Sequence, residues 1–305
     1  MRHLTHLRYI DVVAREKSIR KASEKLNITS TALNRRILAL EGEVGTPLFE
    51  RLPSGVRLNT AGELFIQHIR SQMTDLSRVL SQISDLSGVR RGHVTVSSGP
   101  EILSSFLPEQ IAVYRQDFQA VQFDVLRQTP EQSLAALMNF ETDMAFIFDS
   151  VLPSDLEIIA SVSQPLHALI HKEHPLAEKE KLKLQDCLAW PVISPLSYGG
   201  LKTMLEVGKL RTAANLQTVI QTDEPNFISD YIHNEDAIGF AIPISFETNI
   251  QHLTGLISLP IDERDVPPGI VYLVQKKGRV LSVAAAKFMD QMVQALNKRF
   301  PEATR

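Results

Sequence analysis

The sequence predicts a small helical head and a larger α/β body joined by one long helix. Three observations predict it. Apolar residues recur at three- and four-residue spacing through residues 4–44, and β-type runs alternate with helical ones from His93 onward. Charge divides at the same place: residues 1–91 carry +6 and the remainder −9, within a net charge of −3 over 305 residues. A basic head suits a polyanion, and an acidic body suits some other partner.

Leu4, Leu7, Ile10, Val13 and Ala14 mark a first amphipathic helix. Ser18 can cap a second, with Ile19, Ala22 and Leu26 inward. After Asn27-Ile28, Thr29 or Ser30 can cap a third, whose buried face is Ala32, Leu33, Ile37, Leu40 and Val44. Gly45 and Pro47 stop it. Helix, helix, short turn, helix is a helix-turn-helix. The runs Phe49–Arg51 and Val56–Leu58 around Pro53 and Gly55 read as a hairpin, a wing beside the third helix.

Thr60-Ala61-Gly62-Glu63 reads as a capping box opening a long helix that ends near Ser87. Its apolar stripe is Ile66, Ile69, Met73, Leu76, Leu80 and Ile83, spaced 3, 4, 3, 4, 3 among polar residues. A seam of this kind packs on a second copy of the chain, and the alternative is that it packs on its own domain.

In the body, strands are expected at 94–97, 121–125, 144–148, 166–170, 192–194, 218–220, 237–242 and 270–274. Helices are expected at 101–117, 130–139, 200–208 and 281–299. Such alternation predicts largely parallel sheets with ligands at the carboxyl ends of strands.

Several classes are disfavoured. No apolar run approaches the ~18–20 residues of a membrane span, and the N-terminus lacks a signal-peptide core, so a cytoplasmic location without membrane contact is expected. Cys187 is the single cysteine, which excludes an internal disulfide. His167, His171 and His174 would share a face only on a helix, yet they fall on an expected strand between Pro165 and Pro175, so no metal is expected. No nucleophile elbow, Walker loop or dinucleotide fingerprint is present, and neither an enzyme nor a cofactor is expected.

The string SIRKASEKLNITSTALNRRI at 18–37, followed by GTPLFER at 45–51 and VRLNTAG at 56–62, resembles the LysR-type transcriptional regulators. HPLA at 174–177, AIGFAIP at 237–243 and VYLV at 271–274 extend the resemblance towards the C-terminus. The resemblance implies a winged helix-turn-helix at 1–60, a linker and dimerisation helix at 61–88 and a periplasmic-binding-protein-like effector domain at 92–305. The last would have two lobes, one at about 92–163 and 266–300, the other at about 164–265. The implied function is a transcriptional regulator that binds double-stranded operator DNA as a dimer or tetramer and responds to a small anionic effector. RNA polymerase is a further candidate partner.

Ser30, Thr31, Asn34 and Arg35 would then face the major groove, and Arg51 and Arg57 the backbone or minor groove at the wing. Ser30 stands where the family commonly has Gln, so the family's operator preference does not carry over. In the body, Ser97, Ser98, Gln128, Thr129, Ser194 and Thr222 end strands and would surround the effector. Two other readings stay open: an oligomerising body that binds no ligand, and an enzyme or solute-binding module with an accessory DNA-binding head.

Overall fold

The computed structural model describes residues 2–86, 92–148, 150–197, 199–246 and 255–301. The chain divides into two compact units, Met1–Ile83 and Ser84–Arg305.

The first unit contains α1 (Arg2–Glu16), α2 (Ile19–Lys25), α3 (Ser30–Val44), the hairpin β1 (Phe49–Leu52) and β2 (Gly55–Leu58), and all but the last residues of α4 (Thr60–Leu86). The expected end of α4 at Ser87 and the side chain of Leu4 lie outside the described residues. Leu7, Ile10, Val13, Ala22, Leu33 and Ile37 interlock as its core, with Val56 added from the hairpin. Ser18 and Thr29 accept hydrogen bonds from the Lys21 and Ala32 amides, capping α2 and α3. Val44, expected inside, is 38% exposed because α3 outruns the core at its last turn.

The opening of α4 differs from expectation. Asn59, not Thr60, is the cap: its Oδ1 accepts the Gly62 amide at 2.8 Å. Gly62 is required there, since a Cβ would lie 2.1 Å from the Leu48 carbonyl oxygen. A buried ion pair, Arg70 to Asp11 at 2.7 Å, ties α4 to α1.

The larger correction concerns the apolar stripe. Ile66 and Ile69 are fully buried in the core of their own unit, and Met73 packs against it. A side chain already sealed from solvent has no surface left for a partner, so Ile66 and Ile69 do not belong to an intermolecular seam, whereas Met73 is only half-buried. Leu80 and Ile83, by contrast, are 42% and 54% exposed.

The second unit holds a five-stranded sheet, order β4-β3-β5-β12-β6. Its strands are β3 (Gly92–Ser98), β4 (Val121–Arg127), β5 (Met144–Phe148), β6 (Leu156–Gln164) and β12 (Gly269–Lys276). β3 is parallel to β4 and β5, whereas β12 is antiparallel to both β5 and β6. On this sheet lie α5 (Pro100–Leu103), α6 (Phe106–Asp117), α7 (Pro130–Met138) and α10 (Val283–Arg299). Tyr114, Phe123 and Phe288 lock α6 and α10 to it edge to face.

A second set of strands comprises β7 (His167–His171), β8 (Val192–Ser194), β9 (Thr218–Gln221), β10 (Gly239–Ala241) and β11 (Leu256–Pro260). β10-β7-β11 is antiparallel throughout, and β8-β9 is parallel. The sheets are therefore mixed rather than largely parallel. With them come α8 (Gly200–Thr212) and α9 (Pro225–Ile232). The expected helix at 101–117 is two, broken around Ser104-Ser105.

Gln164 stands where the chain crosses from one sheet to the other. Its buried side chain accepts the Ile244 amide at 2.8 Å and donates to the Ser163 carbonyl at 3.0 Å. Neither polar end of the amide is left unpaired by burial.

Candidate functional site: the α3–hairpin face and a cavity between two sheets

Thr29 turns the chain into α3 so that Leu33 and Ile37 point inward. Thr31 and Arg35 are thereby left exposed on the opposite face, and Asn34 is half-buried beside them. Ser30 is exposed too, but its hydroxyl shares a 2.8 Å hydrogen bond with the buried Ser23 of α2, so it also braces the turn.

The hairpin stands beside this face. Its turn needs Gly55, whose φ is +140°, and a Cβ there would lie 2.3 Å from the Lys17 carbonyl oxygen. Arg51 donates from Nη2 to Asn34 Oδ1 at 2.8 Å, joining wing to helix. Arg57 pairs across the strands with Glu50 at 2.6 Å, and Arg36 lies 4.9 Å from the Tyr9 ring centre. The six residues expected to meet DNA lie on α3 and the hairpin, and four of their side chains, Ser30, Asn34, Arg51 and Arg57, are already engaged by protein partners.

In the second unit a cavity of about 330 Å³ opens between the two sets of strands. That volume lies at the small end of ligand sites. Strand ends and helix starts converge on it: Ser98 at the end of β3, Arg127 at the end of β4 and Gln128 after it, Thr129 at α7, Gly199 and Gly200 at α8, and Thr222 and Asp223 before α9. Its apolar wall includes Phe146, Phe148, Leu169, Ile193 and Phe240. Gly200 is needed for this wall, because a Cβ would sit 2.4 Å from the Phe148 ring.

Four of the six expected residues, Ser98, Gln128, Thr129 and Thr222, line the cavity. Ser97 and Ser194 do not. Alternation along β3 turns Ser97 to the other face from Ser98, and Ser194 shares a 2.9 Å hydrogen bond with Thr218. Thr129 and Thr222 are already engaged, accepting the Gln132 and Glu224 amides. Among the described residues, the hydroxyl of Ser98 and the Oε1 of Gln128 are buried without a partner.

Sequence reasoning missed Glu101, Arg127, Lys202 and Asp223, all on the cavity wall. Nothing in their local pattern separates them from solvated charges. Arg127 pairs with Glu224, bridging the two sides. Asp223 accepts the Leu196 and Ser197 amides at 3.0–3.1 Å. Burial pushes the Glu101 carboxyl above the usual carboxylate range; its own backbone amide opposes this, the Asp223 charge adds to it, and Arg127 opposes it.

The three histidines diverge: His167 faces Phe246, His171 faces His233 and His174 faces Trp190. Burial pushes the Cys187 thiol up to about 12, so it stays protonated near neutrality. Among the described residues no helix is long and apolar enough to cross a membrane.

Comparison with known proteins places both units. Residues 4–63 match the bacterial regulatory helix-turn-helix proteins of the lysR family, and residues 87–297 match the LysR substrate binding domain. The HTH-type transcriptional regulator AlsR of Bacillus subtilis is 26% identical over 265 residues, 87% of this chain and 80% of that protein. A full-length OxyR variant from Pseudomonas aeruginosa superposes with a TM-score of 0.73 at 15% identity, covering 99% of this chain and 97% of the other. Full-length CbnR complexed with its target DNA gives 0.60 at 14% identity, covering 96% and 99%. With both family matches spanning most of its length, the chain belongs to the LysR family of transcriptional regulators, DNA-binding proteins that carry an effector-binding domain.

Proposed function

We propose that this protein binds operator DNA through α3 and the β1–β2 wing, and that a small organic ligand in the interlobe cavity sets how well it does so. The single observation that carries the second half is the cavity itself. It is polar at the strand ends, apolar at the base, and lined by Ser98, whose buried hydroxyl has no partner among the described residues. A collapsed apolar junction would favour the reading in which the body only oligomerises. Nothing bond-breaking is required, consistent with relatives named as regulators, so the protein acts by binding and not as an enzyme.

Thr31, Arg35 and the Asn34–Arg51 pair read base edges, and Arg57 holds the backbone. Self-association uses the distal half of α4, Leu76, Leu80 and Ile83. Ligand favours one closure of the two lobes over another, and α4, the chain's path out of the head, carries that bias towards the DNA-binding units as a population shift. The protein works in the cytoplasm, and RNA polymerase is the partner through which bound regulator reaches transcription.

The test is a thermal-shift screen of the full chain against organic acids, amino acids and aromatic acids, with operator affinity measured for each hit. A ligand held by the native state alone raises Tm by mass action. Ser229→Trp, which fills the cavity from α9, should remove the shift and leave DNA affinity unchanged. A shift that survives this variant would place the site elsewhere.

A further inference from the structure

The cavity's charges are unevenly satisfied. Arg127 is neutralised by Glu224 and also donates to the Asp223 carbonyl at 3.3 Å. Asp223 receives two amides and the Ser197 hydroxyl. Lys202 donates to the Leu196 carbonyl at 3.0 Å. Glu101 differs: among the described residues its carboxyl has no ion pair and no side-chain hydrogen bond. The carboxyl folds back against Gly99, with Oε2 2.6 Å from where a Cβ of that residue would be. Ser98 lines the same cavity, and among the described residues its buried hydroxyl has no partner.

Glu101 is half-buried, with the Asp223 charge nearby and Arg127 already paired to Glu224, so its carboxyl is costly to ionise. An arriving cation removes that cost, whereas an arriving simple anion adds to it. The opposite preference exists a short way along the wall. The first turn of α8 begins at Gly199 with no side-chain cap, and Gly199, Gly200 and Leu201 line the cavity. Uncapped amides and a spare hydroxyl favour a carboxylate. Between and below them the surface is aromatic and aliphatic.

We propose that the ligand is a zwitterion of the α-amino-acid class with an apolar side chain. Its ammonium pairs with Glu101, its carboxylate meets Ser98 and the α8 amides, and its side chain rests on Phe146, Phe148 and Phe240. This rests on the cavity being the effector site and narrows what that site takes: a plain anion is the wrong ligand.

The experiment is calorimetry on the full chain with three matched probes per side chain. L-phenylalanine is compared with 3-phenylpropanoate, which lacks the amine, and with phenethylamine, which lacks the carboxylate. L-leucine is compared with 4-methylpentanoate and isopentylamine. The amino acids should bind at least 10-fold more tightly than either truncated partner, since each loses a charge-assisted contact. Glu101→Gln keeps the shape, so its unliganded melting curve should persist. It should lower amino-acid affinity 10-fold or more while leaving the plain acids unchanged or improved. Ser98→Ala should weaken amino acids and acids alike and spare the amines.

Plain acids binding as well as the amino acids, or amino-acid affinity unmoved by Glu101→Gln, would overturn the zwitterion and leave the cavity as effector site. Amines binding as well as amino acids would overturn it likewise. Silence of all six probes rejects the amino-acid class, and silence of the wider metabolite screen as well would reject the cavity.

Discussion

The division of α4 into a buried half and an exposed half predicts that two apolar substitutions eleven residues apart have opposite consequences. Ile69 is wholly enclosed by the core of the first unit, whereas Leu80 is 42% exposed. Truncating a buried Ile to Ala loses its transfer energy and leaves a cavity, which costs ~2–5 kcal/mol. Leu80→Asp lies outside any core in the single chain, so its cost to the head should stay within ~0.5 kcal/mol. In an assembly that pairs the exposed halves it instead buries an unpaired charge, worth several kcal/mol against association. Two readouts separate these outcomes. Hydrogen exchange of α1–α3 amides, read by mass spectrometry, should show Ile69→Ala opening the head and Leu80→Asp leaving it protected. Sedimentation should show the reverse, with Ile69→Ala still assembled and Leu80→Asp dissociated. An assembly that tolerates Leu80→Asp at unchanged concentration dependence would refute the assignment of the distal half. Unchanged exchange in Ile69→Ala would refute the assignment of the proximal half.

Two further predictions concern the head and the pH dependence of the fold. Because Arg51 holds Asn34, the two should act as a unit. Asn34→Ala should cost ~1–3 kcal/mol on the cognate operator and little on random DNA, and a double-mutant cycle with Arg51→Ala should show coupling of ~0.5 kcal/mol or more; additive losses would dissolve the pair. Burial holds the His167 imidazole down to about 4, below the ordinary ~6.5 of an unfolded chain. As pH falls from 7 to 5 the unfolded state takes up the proton first, so stability should drop by about 1–2 kcal/mol. Urea midpoints for the wild type and His167→Phe test this: the variant should lose less on acidification, and parallel losses would sink the assignment.

The sequence made local features legible and left convergent ones hidden. Leu33 and Ile37 follow helical spacing, and their burial was readable from that spacing alone. Strands β5 and β8 were readable as short apolar runs with turn residues around them. β6 was not, because Leu156–Gln164 mixes buried and exposed positions irregularly, with Ile158 46% exposed. β11, whose five residues LISLP are only partly buried beyond Leu256, gives no stronger signal. The stripe on α4 failed for a different reason. A heptad seam records that one face is apolar and says nothing of what covers it. Ile66 and Ile69 are covered by α1 and α3 residues that lie 30 to 60 positions earlier.

The cavity shows the same limit in chemical form. Strand-end hydroxyls are a local signal, and four of the six nominated residues do line the wall. Which hydroxyl remains available is decided by neighbours distant in sequence. Ser194 is taken by Thr218 and Thr129 by Gln132, while among the described residues Ser98 has no partner. Ionisable groups are harder still, since a Glu reads as a solvated charge until its surroundings are known. Glu101 gains its character from the company of Gly99, Asp223 and Arg127, of which the last two arrive from the far ends of other strands. Ligand chemistry at this site therefore follows from which polar groups on the wall the fold leaves without an ion pair or hydrogen-bond partner among the described residues, the carboxyl of Glu101 and the hydroxyl of Ser98 among them.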